Sequence, residues 1–323
     1  MKILVTVPMD DKERAIIEAA APKAEFTYAA ANEVTADMMA DKEIIFGNVN
    51  AELLQCAKEL KLMQLFTAGT DGYIGKLPEG CAITNTTGAF GLAISEHMLA
   101  MLLCLMKRMH QYRDNQHRHE WKDMGSVRSI VGSTAVILGL GDIGGEFARK
   151  LKLLGAYTIG VRRTDAHKPD YIDELVLSEN VDSVLPCADI VGMALPNTPQ
   201  TVNMLNAERI AMLKEGCIVI NVGRGNAIDE AALAKAIAER GILAGLDVAA
   251  HEPLDKESPL WGLENCLITP HVSGFFHLAE TKRRMIEIAA ENIRRHIDGR
   301  PYMNAIDPST GYIADKYGDR LRF

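Results

Sequence analysis

The stretch STAVILGLGDIGGEFARKLKLLG, residues 133–155, places a G-x-G-x-x-G loop between an apolar run and a helical segment. Residues 133–138 are typical of a buried strand, and apolar residues recur on one face of the segment from Gly145 to Leu154. Glycines allow a tight turn and a close approach to a pyrophosphate, whose charge the helix N-terminus attracts. This order of elements therefore predicts a dinucleotide site, and a second strand, residues 157–161, follows it.

Length and composition favour a cytosolic protein of two α/β domains. The chain has 323 residues, of which 48% are hydrophobic, enough for two buried cores. Its net charge is −8 and it has no basic run, so nucleic acid is not an expected partner. Asp10 comes too early for a signal peptide, and the apolar stretch from Met98 to Met106 is shorter than the ~20 residues of a membrane span.

Cysteines and histidines do not predict a metal site. The six cysteines are scattered singly, without C-x-x-C spacing, and are expected to be reduced thiols that fill the cores. His110, His117 and His119 lie in a highly charged segment with no cysteine beside them. We therefore interpret that histidine group as a solvated face.

Strand and helix patterns alternate in both halves of the chain. Apolar runs at 3–7, 43–46 and 62–66 alternate with helical segments at 11–20 and 51–59. After residue 133, further strand candidates occur at 189–194, 217–222, 242–247 and 266–269. This pattern predicts an α/β protein with two doubly wound parallel sheets.

Two longer helices, from about Leu92 to His119 and from about Phe275 to Asp298, are expected to join the domains. The chain would then begin in one domain, cross to the other and return. The predicted substrate domain comprises residues 1–96 and 281–323, and the predicted dinucleotide domain residues 97–280. Such a double crossing predicts a cleft and a hinge.

Polar residues follow four strand candidates of the second half. The strands run into Leu195-Pro196-Asn197-Thr198, Gly223-Arg224-Gly225, Asp247 and Thr269-Pro270-His271. Ligands of an open parallel sheet bind outside the carboxyl ends of its strands. These residues are therefore candidates for the chemistry of the dinucleotide domain.

The same segments carry a family resemblance. NVGRG (221–225), GLDV (245–248) with Glu252-Pro253, and LITPHVSG (267–274) follow in an order that resembles the D-isomer-specific 2-hydroxyacid dehydrogenases, of the glyoxylate/hydroxypyruvate reductase type. TAGTDG (67–72), NTTG (85–88), ISEH (94–97) and LPNTP (195–199) extend the resemblance over nearly the whole chain. It implies a flavodoxin-like substrate domain and a Rossmann dinucleotide domain joined by the two helices.

The resemblance implies a catalytic triad of Arg224, Glu252 and His271. A guanidinium suits the substrate carboxylate and the developing alkoxide, so Arg224 would bind and polarise a 2-keto acid. His271 would protonate the carbonyl oxygen during reduction and act as the base in oxidation. Glu252 would orient the imidazole and favour its charged form.

The resemblance also implies the binding contacts. Backbone N–H groups near Gly69 and Thr70 would hold the substrate carboxylate, and Asp247 would contact the nicotinamide carboxamide. The remaining implied cofactor contacts come from the glycine loop and the strand ends: Gly139, Gly141, Asp142, Ile143, Gly144, Leu195, Pro196, Thr198, Val222, Gly223 and Ser273.

The cofactor position departs from the NAD pattern. An NAD site has an acidic residue about 20 positions after the glycine loop, at the end of the second strand. Here that strand runs into Arg162 and Arg163, which would suit the 2′-phosphate of NADP(H). The alternative is an NAD site in which Asp165, displaced from the usual position, serves as the acidic residue.

Three functions are compatible with these residues. The first is reduction of a small 2-keto acid by NADP(H), giving a 2-hydroxy acid. The second is an NAD-dependent or phosphite-type dehydrogenase on the same scaffold. The third is a dinucleotide-sensing interaction protein like the C-terminal-binding-protein corepressors, whose long polar or proline-rich tail is missing here.

The resemblance also implies a homodimer, formed through the first long helix and the arm ending at Trp121.

Overall fold

The computed structural model describes residues 1–164 and 167–314, which form two compact units. Unit 1 contains Met1–Phe90 and the chain from Phe276, and unit 2 is Gly91–Phe275. The strands, in chain order, are β1 (Lys2–Val5), β2 (Glu25–Tyr28), β3 (Ile44–Phe46), β4 (Leu62–Gln64), β5 (Ala82–Thr84), β6 (Thr134–Leu138), β7 (Tyr157–Arg162), β8 (Glu174–Leu177), β9 (Ile190–Met193), β10 (Ile218–Asn221), β11 (Leu243–Leu246) and β12 (Cys266–Ile268). The α-helices are α1 (Asp11–Ala20), α2 (Ala36–Met39), α3 (Gly91–Met106), α4 (Met109–His117), α5 (Asp142–Leu153), α6 (Ala207–Met212), α7 (Glu230–Arg240) and α8 (Ala279–Asp298).

Unit 1 is built on a parallel sheet of order β2-β1-β3-β4-β5, the flavodoxin-like order. One face of α8, with Ile286 and Ile293, packs with Ile3, Phe46 and Leu62 in a common core. These side chains are completely buried. The returning helix therefore completes the core of the unit in which the chain began.

Unit 2 is built on a parallel sheet of order β12-β11-β10-β9-β6-β7-β8. Counted from β6, its order is that of a Rossmann sheet with one further strand. Phe147 and Leu151 on α5 are fully buried, as the helical periodicity predicts, whereas Leu154, expected on the same face, caps the helix end and is 42% exposed. The two sheets confirm the predicted doubly wound α/β class.

The units divide just before α3 and α8, whereas the predicted boundaries at 96/97 and 280/281 lie inside these helices. The physical reason is packing, since α3 lies against α5, β10 and β11 of unit 2. Helix α8 in turn packs on α1 and β4 of unit 1.

Three helical segments differ from the sequence expectation. The predicted helix from Leu92 to His119 is broken at Arg108, whose φ is +56°, between α3 and α4. Residues 51–56 form a 3₁₀ helix instead of an α-helix. Helix α8 begins at Ala279, four residues after the expected start at Phe275.

All six cysteines lie in the described residues and are free thiols. Burial raises the pKa of Cys217 and of Cys266 to about 12, so both thiols stay protonated at neutral pH and pack as apolar groups. Cys187 is exposed, which differs from the expected core position.

Within residues 1–164 and 167–314 we find no cluster of three or more metal-ligating side chains. None of the described helices is both long and apolar enough to cross a membrane.

Candidate functional site

The glycine loop connects β6 to α5 with the geometry that a pyrophosphate site requires. Gly139 has φ +97°, and a Cβ on Gly144 would lie 1.9 Å from the Gly139 carbonyl oxygen. The N-cap of α5 is Gly141, which supplies no side-chain cap to the first helical turn. A Cβ at Gly141 would meet nothing within 4 Å, so the loop is open above the helix N-terminus. These features fit the phosphates of a dinucleotide.

Two further residues of this loop, Asp142 and Ile143, are the first residues of α5. The Oδ2 of Asp142 accepts a hydrogen bond from the N–H of Gly91 at 2.9 Å, so its carboxylate caps the start of α3. Ile143 is half-buried in the first turn of α5.

Arg162 ends β7, where an NAD site has an acid. Its Nη2 donates to the His167 carbonyl at 3.1 Å, while its Nε is buried and has no hydrogen-bond partner within the described ranges. Arg163 is exposed beside it. The alternative acid, Asp165, lies outside the described residues. Two arginines at this strand end carry positive charge that would suit an anionic ligand.

The segments after β9 and β10 are fixed by short-range hydrogen bonds. Thr201 donates to the Pro196 carbonyl at 2.6 Å and accepts from the Thr198 N–H at 2.9 Å. After β10, Asn221 accepts from the Gly223 N–H at 3.0 Å and donates to the Arg224 carbonyl at 2.9 Å. Leu195 and Val222 lie in the same two segments. The predicted binding residues therefore lie on turns at one edge of the sheet.

His271 and Glu252 form a hydrogen-bonded pair. The Nδ1 of His271 lies 2.7 Å from Oε2 of Glu252, and Oε1 of Glu252 accepts from the Ala249 N–H at 3.1 Å. A carboxylate accepts hydrogen bonds, so this contact assigns the proton to Nδ1 and leaves Nε2 for another partner. The pair, with side chains 43% and 39% exposed, lies at the surface of unit 2.

Gly225 brings the segment of Arg224 against the segment that leads to Glu252. A Cβ on Gly225 would lie 1.9 Å from the carbonyl carbon of Ala249. These segments and the one carrying His271 follow β10, β11 and β12, which are neighbours in the sheet. All three predicted catalytic residues are thus at adjacent strand ends of unit 2.

Asp247 is buried at the centre of these strand ends, with 1% exposure. One carboxylate oxygen accepts from the Thr269 hydroxyl at 2.6 Å and the Val272 N–H at 3.0 Å. The other accepts from the N–H of Ser273 at 3.1 Å and from its hydroxyl. Asp247 and Ser273, both predicted to contact the cofactor, are therefore bonded to each other.

Gly69 and Thr70 lie in unit 1, in the segment that follows β4. The Thr67 hydroxyl donates to the Gly69 carbonyl at 2.8 Å, and Asn85 donates to the Ala68 carbonyl at 2.7 Å. Thr86 donates to the Phe66 carbonyl at 2.6 Å. The two motifs at 67–72 and 85–88 are therefore one packed substructure of unit 1.

Sequence reasoning gave no separate role to His97 and Thr269. The Nε2 of His97 lies 3.1 Å from the Thr269 hydroxyl oxygen and 3.8 Å from Oδ1 of Asp247. The signal that could have located His97 is its place in the ISEH motif at the start of α3.

Comparison with known proteins identifies the family. Residues 99–273 match the family model described as D-isomer specific 2-hydroxyacid dehydrogenase, NAD binding domain. The chain is 30% identical to glyoxylate reductase of Korarchaeum cryptofilum over 256 residues, which are 76% of this chain and 75% of that protein. It spans about half the length of the D-3-phosphoglycerate dehydrogenases that it also matches.

Solved structures agree with this relationship. A D-isomer specific 2-hydroxyacid dehydrogenase from Xanthobacter autotrophicus, in complex with NADPH and MES, is 28% identical, with a TM-score of 0.83 over 96% of this chain and 99% of that one. An NADPH-dependent glyoxylate/hydroxypyruvate reductase from Sinorhizobium meliloti, in complex with NADP and sulfate, is 25% identical, with a TM-score of 0.82 and the same coverage.

Proposed function

Because the chain belongs to the D-isomer specific 2-hydroxyacid dehydrogenase family, and is an NAD(P)-dependent enzyme of that family, we propose that it reduces small 2-keto acids to D-2-hydroxy acids with NADP(H). Glyoxylate and hydroxypyruvate are the proposed substrate class. The observation that carries this proposal is the 2.7 Å contact between His271 and Glu252 at a strand end of the dinucleotide-binding unit. Such a pair supplies an acid whose orientation is fixed.

In the proposed reaction each member of the triad has one task. Bound NADPH would supply the hydride. Arg224 binds the substrate carboxylate and draws electron density towards the carbonyl oxygen. His271 donates the Nε2 proton to that oxygen, and Glu252 stabilises the positive charge on the imidazole through Nδ1. In oxidation the same histidine removes the hydroxyl proton.

Substrate binding is further proposed to use the backbone N–H groups of Gly69 and Thr70. The support is the hydrogen bonding that fixes this segment through Thr67 and Asn85. A fixed backbone can bind a carboxylate without first losing conformational entropy.

The proposed preference for NADP(H) depends on Arg162. Arg162 ends β7, where an NAD site has an acid, and the planar guanidinium fork of an arginine suits a 2′-phosphate. The exposed guanidinium of Arg163 would add to the positive potential. Two structural relatives hold NADPH or NADP, which also favours this cofactor.

Steady-state kinetics test the proposed function. Purified protein would be assayed with NADPH and with NADH against glyoxylate, hydroxypyruvate, pyruvate and phenylpyruvate at one salt concentration. We expect turnover of the small 2-keto acids, faster with NADPH. Tight NADPH binding without turnover of any 2-keto acid would instead support the sensing role, and oxidation of phosphite would support the phosphite-type role.

Gly225→Ala tests the packing behind the triad. The added Cβ would lie 1.9 Å from the Ala249 carbonyl carbon, so the segments of Arg224 and Glu252 must separate. A catalytic group misplaced by about 1 Å can lower the reaction rate about 10²-fold. We expect a loss of that size in kcat/KM. Gly262→Ala is the matched control, because its Cβ would meet nothing within 4 Å. Similar activities of the two variants would rule out this packing role.

We also propose that the protein is a cytosolic homodimer. Six free thiols fit a reducing compartment. The arm after α4 carries the fully exposed Trp121, and Val127 and Val131 are 51% and 73% exposed. We propose that these exposed apolar side chains contribute to the dimer interface.

The dimer is tested with Trp121→Ser. We expect the wild-type mass in light scattering to be twice the chain mass of 35.4 kDa, and the variant to dissociate at micromolar concentration, because a large aromatic side chain often dominates an interface. Leu153→Ser, at a residue 75% exposed on α5, is the control and should remain dimeric. A monomeric wild type would contradict the proposal.

A further inference from the structure

His97 lies next to the segment that carries His271, although the proposed mechanism does not use it. Its Nε2 is 3.1 Å from the hydroxyl oxygen of Thr269, two residues before His271. Its side chain is 25% exposed, so most of the ring is buried. The contact joins α3 to a segment 172 residues further along the chain.

The direction of this hydrogen bond follows from the number of available protons. The Thr269 hydroxyl lies 2.6 Å from Oδ1 of Asp247, and both oxygens of that carboxylate also accept backbone N–H groups, from Val272 and Ser273. The single hydroxyl proton of Thr269 is therefore donated to Asp247. His97 must then be the donor in its own contact with Thr269, and its Nε2 carries a proton.

The segment that this contact stabilises has an unfavourable backbone conformation. His271 has φ +52°, in the left-handed region that residues other than glycine rarely occupy. Its N–H donates to the Asp247 carbonyl at 2.7 Å, and the next two residues donate to the Asp247 carboxylate. Such a conformation persists only when several contacts impose it. Thr269 supplies the contact at the N-terminal side of the segment.

We propose that His97 is a positioning residue, which donates from Nε2 to Thr269 and so holds segment 269–273 in the conformation that presents His271. Its effect on rate rests on the proposed reductase function. The hydrogen bond fixes the Thr269 hydroxyl in the rotamer that reaches Asp247. Without it the hydroxyl can turn away, and fewer molecules have His271 in place.

Single-turnover reduction of glyoxylate by NADPH tests the effect on rate. We expect His97→Leu to lower the hydride-transfer rate about tenfold, the equivalent of one hydrogen bond, with little change in KM. His97→Gln keeps an N–H donor and should recover most of the rate. A wild-type rate in His97→Leu, or equal losses in the Leu and Gln variants, would overturn the proposal.

A double-mutant cycle tests whether His97 acts through Thr269. Thr269→Val removes the hydroxyl, so adding His97→Leu to it should cause no further loss. Ser95→Ala is the control, because Ser95 is buried on the same helix but accepts from Lys150 at 2.9 Å. In the double variant with Thr269→Val, the two fold-losses in rate should multiply, because Ser95 does not act through Thr269. If the fold-losses in rate of His97→Leu and Thr269→Val multiplied in the double variant, His97 would not act through Thr269.

Histidine ¹⁵N NMR decides the proposal even if no 2-keto acid is reduced. The two-bond ¹H–¹⁵N pattern of His97 should show a protonated Nε2. The His271 signals should shift or broaden in His97→Leu and remain unchanged in Ser95→Ala. A His97 ring protonated only at Nδ1, or unaltered His271 signals in the leucine variant, would contradict it. Failure of turnover with these NMR results would count against the proposed function alone.

Discussion

Replacing His271 by alanine is expected to lower kcat/KM for glyoxylate or hydroxypyruvate by about 10²- to 10⁴-fold, the usual cost of losing a general acid. NADPH affinity should not change, because the proposed role of His271 is to protonate the substrate oxygen. Its Nδ1 contact with Glu252 at 2.7 Å leaves Nε2 for that proton transfer. Stopped-flow kinetics and fluorescence titration with NADPH separate the two quantities.

The control for this prediction is Lys235→Ala, at a side chain that is 72% exposed on α7. It should have wild-type kinetics. More than about a third of wild-type kcat/KM in His271→Ala would remove the residue from the mechanism. A parallel loss of NADPH affinity would assign it to cofactor binding instead.

Arg162→Asp is expected to reverse the cofactor preference. Hydrogen bonds to charged groups contribute about 1.5 to 3 kcal/mol, so one arginine–phosphate contact supports a wild-type preference for NADPH of roughly 10- to 100-fold. The substitution removes this attraction and adds repulsion of the phosphate. Efficiency with NADH should stay the same or improve, since aspartate can accept from the ribose hydroxyls.

Steady-state kinetics with both cofactors, at one salt concentration, measure the change. Arg294→Asp is the matched control, because it makes the same charge change at an exposed side chain of α8, where Nη1 of Arg294 lies 3.5 Å from Oε2 of Glu291. It should leave the cofactor ratio unaltered. A wild type that already prefers NADH would make the cofactor assignment wrong and leave the hydride-transfer proposal standing.

Elements with a local signal could be predicted from the sequence. The glycine loop, β6 and α5 follow from about twenty consecutive residues, because turn, strand and amphipathic helix each have their own pattern there. Strands β2, β5 and β8 were not predicted; β5 has three residues, and the burial of β2 and of β8 does not alternate. Short segments of this kind become strands through pairing in the sheet, which a local pattern does not record.

Long-range contacts limited prediction of the site. The resemblance proposed Glu252 and His271 as partners, and they lie in hydrogen-bond contact. The contact between His97 and Thr269 joins residues 172 positions apart and depends on how α3 packs on the sheet. The break at Arg108 was missed for a similar reason, since its side chain donates to the Ser126 carbonyl in a later segment.

The central claim is hydride transfer from the nicotinamide to a 2-keto acid, and isotope transfer measures it most directly. NADPH deuterated at C4, on each face in separate reactions, would be incubated with hydroxypyruvate, and the product analysed by chiral chromatography and mass spectrometry. We predict D-glycerate with deuterium at C2 from one of the two cofactor isomers. Bound NADPH that is not oxidised, or glycerate without deuterium from either isomer, would contradict the claim.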